Sequence, residues 1–123
     1  MSANTLCWTD IPVVDLDRAI AFYSAVLGEK VAKESTPGFV FGLLPHKDQN
    51  ASGCLVCVPN CKPSQDGPLV YLSVEGRLDA AIAAARTGGG KILQEKQSIG
   101  PHGHRAILVD TEGNRIALHS HVA

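Results

Sequence analysis

The residues with the clearest capacity for chemistry are histidines near the end of the chain. Four of the five histidines fall in the last 22 residues, as two pairs: His102 with His104, and His119 with His121. One residue separates the members of each pair, and on a β-strand that spacing directs both side chains to one face. Neutral imidazole is the commonest transition-metal ligand in proteins. One hypothesis is therefore a divalent transition-metal site built from these four residues.

The interpretation that we favour is that these histidines lie on the surface or line a pocket without a metal. Imidazole has an ordinary pKa of about 6.5, which suits proton transfer near neutral pH, and His119 is the candidate for that role. Asp10, expected near it on the same face in the opening strand, is its candidate partner. The sequence shows no arrangement of a nucleophile, a general base and a third group that orients the base. We therefore interpret Asp10 and His119 as hydrogen-bonding groups that orient a ligand.

Thiol chemistry is offered by four cysteines, Cys7, Cys54, Cys57 and Cys61. Cys54 and Cys57 have the spacing of a redox motif or of half a zinc site. They lie in an apolar stretch that is typical of a strand, where residues three apart point to opposite faces. No second pair completes a zinc site. We interpret the cysteines as buried or incidental reduced thiols.

Aromatic side chains are the remaining candidates for a binding site. Six residues are aromatic, and four of them could line one cavity. Trp8 and Tyr71 have the parity of inward positions in their strands, and Phe39 and Phe41 share one face of theirs. Aromatic walls with a few polar groups are typical of small-molecule pockets, although such rings also simply fill a core.

An internal repeat predicts the elements that must position these residues. The segment Asp17-Arg18-Ala19-Ile20-Ala21 recurs as Asp79-Ala80-Ala81-Ile82-Ala83. The repeat predicts two modules, over about residues 1–60 and 67–123, each with a strand, a helix and three further strands. Asp15 is the expected N-cap of the first helix, and Gly28 is expected to end it. The glycines at 88–90 are expected to end the second helix rather than to form a phosphate loop, because a strand follows them.

The strand boundaries follow from alternation and from turn-forming residues. Residues 6–14 form the predicted opening strand, and residues 30–34, 39–44 and 54–58 the other strands of the first module. The second module has predicted strands at residues 69–74, 91–95, 105–109 and 115–119. Thr111-Glu112-Gly113-Asn114 is the predicted turn of the last hairpin.

Length and charge limit the classes of protein. The chain has 123 residues, of which 45% are hydrophobic and 19% charged, with a net charge of −1. This composition predicts one folded domain over residues 1–123. A near-neutral chain is not expected to bind nucleic acid, and no apolar run is long enough to span a bilayer. The N-terminus has no secretory signal, so we expect a cytoplasmic protein without a membrane partner.

Two segments carry a resemblance to a known family. The segment from Ile11 to Gly28, IPVVDLDRAIAFYSAVLG, resembles the opening of vicinal-oxygen-chelate proteins, and Asp110 to Leu118, DTEGNRIAL, is similar to their closing hairpin. That superfamily includes glyoxalase I, extradiol dioxygenases, fosfomycin-resistance enzymes and bleomycin-binding proteins. The chain is most similar to its small predicted glyoxalase-related branch. The resemblance implies an α+β fold in which two βαβββ modules form an eight-stranded cup with helices on the outer face. It also implies a homodimer.

The resemblance also locates the positions that hold metal in the family's metalloenzymes. They fall on Trp8, near Cys57, on Leu69 and on Ala117. Tryptophan, leucine and alanine cannot donate a lone pair to a metal, and one thiolate does not supply the three or four ligands that zinc, nickel or iron requires. The usual metal chemistry of the family, including glyoxalase I activity, is therefore not expected.

The leading hypothesis is a metal-independent protein that binds a partly apolar small molecule in the cup and needs no cofactor. Its expected ligand-binding residues are Trp8, Asp10, Phe39, Phe41, Cys57, Leu69, Tyr71 and His119. Two alternatives stay open. One is a metalloenzyme of isomerase, lyase or dioxygenase type that uses relocated ligands among His102, His104, His119 and His121, with Cys57 as a further candidate. The other is a non-catalytic structural or interaction module.

Overall fold

The computed structural model describes residues 5–48 and 50–123. Each half of the chain has the predicted order of one strand, one helix and three strands. The first half comprises β1 (Trp8–Pro12), α1 (Leu16–Leu27), β2 (Ala32–Thr36), β3 (Phe39–Leu43) and β4 (Ser52–Val56). The second comprises β5 (Val70–Ser73), α2 (Leu78–Thr87), β6 (Lys91–Ser98), β7 (His104–Val109) and β8 (Arg115–Ser120), with a 3₁₀ turn over Gly100–His102 before β7.

Eight strands form two four-stranded sheets with the same internal order, β1-β4-β3-β2 and β5-β8-β7-β6. In each sheet the first strand pairs in parallel with the last, and the remaining pairs are antiparallel. The α+β architecture expected from the repeat is therefore confirmed. Strands β1 and β5 each pair with only one other strand of their sheet, so both lie at a sheet edge.

Some strand boundaries differ from the predicted ones. The fourth strand covers Ser52–Val56 instead of residues 54–58, because Trp8 of β1 pairs with Ser52 and thereby sets the register. Cys57 consequently lies just after β4. Strand β6 is longer than predicted and contains register irregularities against β7 between Ile92 and Gln97. Such irregularities disturb the alternation on which a sequence-based boundary depends.

Both helices cover the same side of the sheets and pack against each other. Asp15 caps α1 by accepting a hydrogen bond from Arg18 N at 3.0 Å, and Gly28 ends it with a φ of 73°. The predicted caps of this helix are thus observed. α2 ends at Thr87, directly before Gly88.

One hydrophobic core joins the helices to the sheet faces beneath them. It includes Ile11 of β1, Leu55 of β4 and Leu118 of β8, and small residues such as Ala19 and Ala81 are fully buried where the helices approach. Side chains alternate along a strand, so Asp10, Cys54 and Ala117 point to the sheet faces away from the helices. Chemistry on those faces is separate from the core.

The β7–β8 turn joins the second half of the chain to the start of α1. The fully buried carboxylate of Glu112 accepts hydrogen bonds from Val14 N at 2.8 Å and Asp15 N at 2.7 Å. It also accepts two from Arg18, with Nε at 2.7 Å and Nη2 at 3.0 Å. Within the same turn region, Asp110 accepts a hydrogen bond from the hydroxyl of Tyr23. The turn therefore fixes the first helix against the second sheet.

The environment of Glu112 stabilises its charged form. Burial alone disfavours the carboxylate, but the hydrogen bonds from Arg18, the Asp15 and Val14 amides and the Thr111 hydroxyl outweigh it and lower the pKa of Glu112 from 4.5 to about 2. Negative charge next to a helix N-terminus is also favoured by the helix dipole.

Among the described residues, no helix is long and apolar enough to cross a membrane.

We predict that Glu112 makes folding sensitive to acid. A carboxyl whose pKa is lower in the folded state contributes stability above its unfolded pKa, and this contribution is lost as the pH falls toward the folded pKa. The lowering from 4.5 to about 2 corresponds to about 3 kcal/mol. The contribution of Glu112 to the free energy of unfolding should decrease by about that amount between pH 5 and pH 2, as measured by urea denaturation followed by circular dichroism, with the Glu112→Gln variant as the reference.

The matched variants are Glu112→Gln and Glu34→Gln, the latter at an exposed position in β2. Glu112→Gln should lose about 3 kcal/mol at pH 7 and show a shallower acid dependence, whereas Glu34→Gln should resemble the parent protein. Equal pH profiles for all three proteins would contradict this role of Glu112.

Candidate functional site

A cleft of about 1080 Å³ lies along the two edge strands β1 and β5. The end of α1 and the loop between β3 and β4 complete its walls. Three of the predicted ligand-binding residues line it, namely Trp8, Leu69 and Tyr71. The other lining residues are Leu6, Thr9, Leu27, Glu29, Leu44, Pro45, His46, Lys47, Ala51, Ser52, Pro68, Val70, Leu72 and Ser73.

Two aromatic rings in this cleft are unusually accessible. Trp8 is 48% exposed and Tyr71 is 45% exposed, and alternation places both on the strand faces that point away from the helices. Leu69, just before β5, is half-buried beside them. The cleft therefore presents aromatic and aliphatic surface that the folded chain does not itself cover.

Tyr71 is held in place by a cation. Arg105 donates from Nη1 to the Tyr71 hydroxyl, and its guanidinium carbon lies 5.9 Å from the centre of the Tyr71 ring. Its Nε donates to Gln97 Oε1 at 3.0 Å. Among the described residues, Arg105 forms no salt bridge with a carboxylate. A positive charge therefore stands next to the aromatic wall.

Arg105 is absent from the residues expected from the sequence, although a signal existed. The predicted turn at residues 111–114 fixes the β7–β8 pairing, and that pairing places Arg105 directly opposite His119. Counting residues outward from the turn along both strands therefore identifies Arg105 as the partner of His119.

Asp10 lies beside a buried thiol. Strands β1 and β4 pair Asp10 with Cys54, and Cys54 Sγ donates to Asp10 Oδ1 at 3.3 Å. Burial of the thiol raises the pKa of Cys54, and the hydrogen bond to Asp10 raises it further. The thiolate form of Cys54 is therefore disfavoured. The hydrogen bonds of the described residues join Asp10 to Cys54 rather than to His119.

Phe39, Phe41 and Cys57 do not line the cleft. The two phenylalanine rings of β3 stack on each other, with centroids 5.4 Å apart and planes inclined by 26°. Cys57 is exposed beyond the end of β4, where its Sγ donates to Val14 O at 3.6 Å. These three predicted site residues therefore lie outside the cleft that Trp8 and Tyr71 line.

Two of the four C-terminal histidines come together with a carboxylate. His119 in β8 and His121 just after it have ring centroids 4.9 Å apart, as their spacing predicts. Glu75, in the turn after β5, accepts hydrogen bonds from His121 Nδ1 and His121 N, both at 2.8 Å. These hydrogen bonds lower the pKa of Glu75 to about 2. We call Glu75, His119 and His121 the C-terminal cluster.

Glu75 was not predicted from the sequence. It occupies a turn, where no periodicity marks it, and it reaches His121 only because β5 and β8 pair in parallel, with Ser73 opposite His119. This pairing brings the end of β5 next to the end of β8. The cluster also adjoins the cleft, since the rings of Tyr71 and His119 are 6.4 Å apart.

His102 and His104 contribute differently. His102 lies in the exposed 3₁₀ turn, and its main-chain carbonyl accepts a hydrogen bond from His119 Nε2 at 2.6 Å. His104 begins β7, pairs with Ser120 and is half-buried, and its Nδ1 has no hydrogen-bond partner within the described part of the chain. The spacing of this pair therefore does not bring its rings into the C-terminal cluster.

Gly103 allows the 3₁₀ turn to approach β8. Its φ is 103°, and a Cβ atom at this position would lie 2.5 Å from Ser120 O and 2.8 Å from His121 Cα. Only glycine fits such a close backbone contact. Because the turn carries His102, this contact sets the carbonyl that orients His119.

In vicinal-oxygen-chelate metalloenzymes, which this sequence resembles, four positions hold the metal. The residues at the corresponding positions of this chain do not fit a metal. Trp8 and Leu69 project apolar groups into the cleft, and Ala117 is fully buried opposite Tyr71. Only Cys57 has a donor atom, and it lies outside the cleft. These four residues cannot assemble a metal centre, as the sequence indicates.

Comparison with known protein families yields a match over most of the chain. The model of the Glyoxalase/Bleomycin resistance protein/Dioxygenase superfamily matches residues 5–118. "Putative glyoxylase CFP32" of Mycobacterium tuberculosis (strain CDC 1551 / Oshkosh) is 31% identical over 115 residues, which cover 89% of this chain and 41% of that protein. The chain therefore spans about two fifths of the length of this relative. A "Glyoxylase-like domain-containing protein" of Didymella fabae is 29% identical, with 89% of this chain and 88% of that protein covered.

Solved structures show the same fold. A glyoxalase/bleomycin resistance protein from Albidiferax ferrireducens T118 superposes with a TM-score of 0.73 at 20% identity, covering 95% of this chain and 98% of that one. A mutant glyoxalase I from Zea mays superposes with a TM-score of 0.67 at 23% identity, covering 94% of this chain and 45% of that one.

We predict that Gly103→Ala destabilises the protein and displaces His119. The added methyl group meets backbone on two sides and imposes a strained φ, which together cost about 2–4 kcal/mol. Gly100→Ala is the matched control, because Gly100 also has a positive φ of 70° but a Cβ atom added there would meet no atom within 4 Å beyond its two chain neighbours. It should cost about 1 kcal/mol. Chemical denaturation measures both, and equal losses would show that the close contact at Gly103 is unimportant.

Proposed function

The chain belongs to the Glyoxalase/Bleomycin resistance protein/Dioxygenase superfamily, and from this premise we propose that it binds a partly apolar small molecule in the cleft along β1 and β5. Binding requires no metal at the four positions used by the family's metalloenzymes. The observation that carries this proposal is the exposed aromatic pair, Trp8 and Tyr71, in a cleft of about 1080 Å³.

The size and lining of the cleft support a small organic ligand. Small-molecule sites commonly enclose about 300–1000 Å³ and combine apolar walls with a few polar groups. Covering the exposed halves of two aromatic side chains removes roughly 100 Å² of surface from each, which contributes about 2.5 kcal/mol per ring before the cost of association. A ligand that stacks on both rings is therefore well matched to this surface.

Arg105 does not itself line the cleft, but it contacts Tyr71, which does, and it supports a ligand that extends past Tyr71 with an acceptor group at one end. Its guanidinium is fixed by Gln97 and the Tyr71 hydroxyl, and it has no carboxylate partner among the described residues. A carboxylate, sulfonate or carbonyl oxygen placed there would accept a charge-assisted hydrogen bond. The proposed ligand class is thus an aromatic or branched apolar compound with an anionic or carbonyl end.

The proposal includes a cytoplasmic homodimer. Its support is the apolar surface that the first sheet exposes, which includes Phe39 at 38% exposure. A second copy of the chain would bury such surface. The near-neutral composition offers no charge that would attract nucleic acid or an anionic membrane instead.

We predict that an aromatic sulfonate such as 8-anilinonaphthalene-1-sulfonate binds the folded protein saturably in the presence of EDTA. The chain has one tryptophan, so the intrinsic emission reports directly on Trp8. Binding should shift that emission and reach one equivalent per chain. A panel of aromatic carboxylates is then tested in the same buffer, and the compounds are ranked by the increase in melting temperature that each one causes.

Three variants locate the binding. Trp8→Ala should weaken probe binding at least about tenfold, consistent with the loss of one ring surface. Tyr71→Phe should weaken it less, because the ring stays and only the hydroxyl that positions Arg105 is lost. Leu93→Ala, at an apolar position of β6 that is 45% exposed and outside the cleft, should leave binding unchanged. Equal affinities for the parent protein and Trp8→Ala would refute the proposal.

A further inference from the structure

We propose that the C-terminal cluster of Glu75, His119 and His121 is a binding site for a divalent transition-metal ion. One potential ligand atom from each of these residues lies within 4.8 Å of the other two. The site is different from the four family positions discussed above. It goes beyond the proposed ligand binding, because it requires neither the cleft's ligand nor Trp8.

The hydrogen bond of His119 leaves one of its ring nitrogens ready to bind an ion. A carbonyl oxygen only accepts, so Nε2 of His119 carries the proton that is donated to His102 O at 2.6 Å. In the neutral ring, Nδ1 then has a free lone pair. A ring N–H donated to a main-chain carbonyl is the usual way in which proteins fix the orientation of a metal-binding histidine.

Glu75 and His121 are already separated by the distance that a shared ion requires. Their atoms Oε1 and Nδ1 are 2.8 Å apart, and two ligands at about 2.1 Å from one ion and at right angles lie about 3 Å apart. An ion that replaces the proton between them therefore keeps both atoms as ligands with little movement. The proton leaves to solvent, as metal binding to histidine generally requires.

The carboxylate is held in place by groups that an ion need not displace. Glu75 Oε2 accepts from the hydroxyl of the fully buried Ser120 at 3.1 Å and from His121 N at 3.0 Å. The Ser120 hydroxyl also accepts from Gly76 N at 3.0 Å. These contacts fix the turn that follows β5, so that Glu75 does not have to be ordered by the ion itself.

Access to the cluster suits a hydrated cation, and the neighbouring Arg105 guanidinium is hydrogen-bonded to Tyr71 and Gln97 instead of to Glu75. The side chains of His121 and Glu75 are 73% and 46% exposed, so an ion can reach them and retain water molecules. Within the described part of the chain, the only salt-bridge partner of Glu75 is His121, so no lysine or arginine competes for the carboxylate. Two imidazoles with one carboxylate and open positions are typical of Zn²⁺, Fe²⁺, Mn²⁺ and Co²⁺ sites.

Titration of untagged, chelator-treated protein with Co²⁺ tests the site, since visible absorption reports on imidazole coordination. We expect one equivalent per chain. Glu75→Gln, His119→Ala and His121→Ala should each weaken binding at least about tenfold. His121 lies beyond β8 and is exposed, so its variant is expected to remain folded, and circular dichroism verifies all three.

His102→Ala is the matched control. It removes an imidazole but keeps the main-chain carbonyl that orients His119, so its Co²⁺ affinity should stay within about twofold of the parent. Absence of stoichiometric Co²⁺ binding would overturn the proposal, as would loss of binding in His102→Ala with retention in His121→Ala. The titration contains no organic ligand and the probe assay contains EDTA, so failure of one proposal is distinguishable from failure of the other.

Discussion

Glu112 carries a buried negative charge at the point where the second half of the chain meets the first. Its carboxylate accepts hydrogen bonds from two amides that precede α1 and from the Arg18 side chain. Nearby, Asn114 donates to Pro12 O at 2.7 Å, at the end of β1. These contacts tie the β7–β8 turn to both β1 and α1. Removing the arginine or the amides would leave an uncompensated buried charge, so the two halves are strongly constrained to one arrangement.

That arrangement creates the surfaces on which function depends. With the helices packed together on one side, the edge strands β1 and β5 both border the cleft, and Trp8 and Tyr71 both line it. Tyr71 connects the cleft to the C-terminal cluster, because it contacts Arg105 and lies beside His119. The aromatic wall, the Arg105 guanidinium and the cluster are consequently neighbours on one side of the second sheet. A ligand anchored by Arg105 would lie close to an ion held by Glu75.

Local patterns in the sequence predicted the elements well, because each depends on nearby residues. The repeat around Asp17 and Asp79 identified the two modules, and Asp15, Gly28 and the turn at residues 111–114 marked observed boundaries. The alternation of side chains along a strand predicted that Trp8 and Tyr71 share the inward faces of their strands, which border the cleft. It also predicted that His119 and His121 point to the same side. The same alternation did not fix the end of β4, since its register depends on pairing with β1. Contacts between distant segments had no local signal: Glu112 reaches α1 across more than 90 residues, and Glu75 meets His121 through a parallel strand pair.

Metal-independent binding of a small organic molecule in the cleft beside Trp8 is the property on which the proposed function rests. Its most direct test is native mass spectrometry of untagged protein that has been incubated, in EDTA, with a small-molecule extract and then freed of unbound compounds. We expect a retained organic mass on the parent protein, which is released on denaturation and is absent from Trp8→Ala. A parent protein that retains no mass, or a Trp8→Ala variant that retains the same mass, would contradict it.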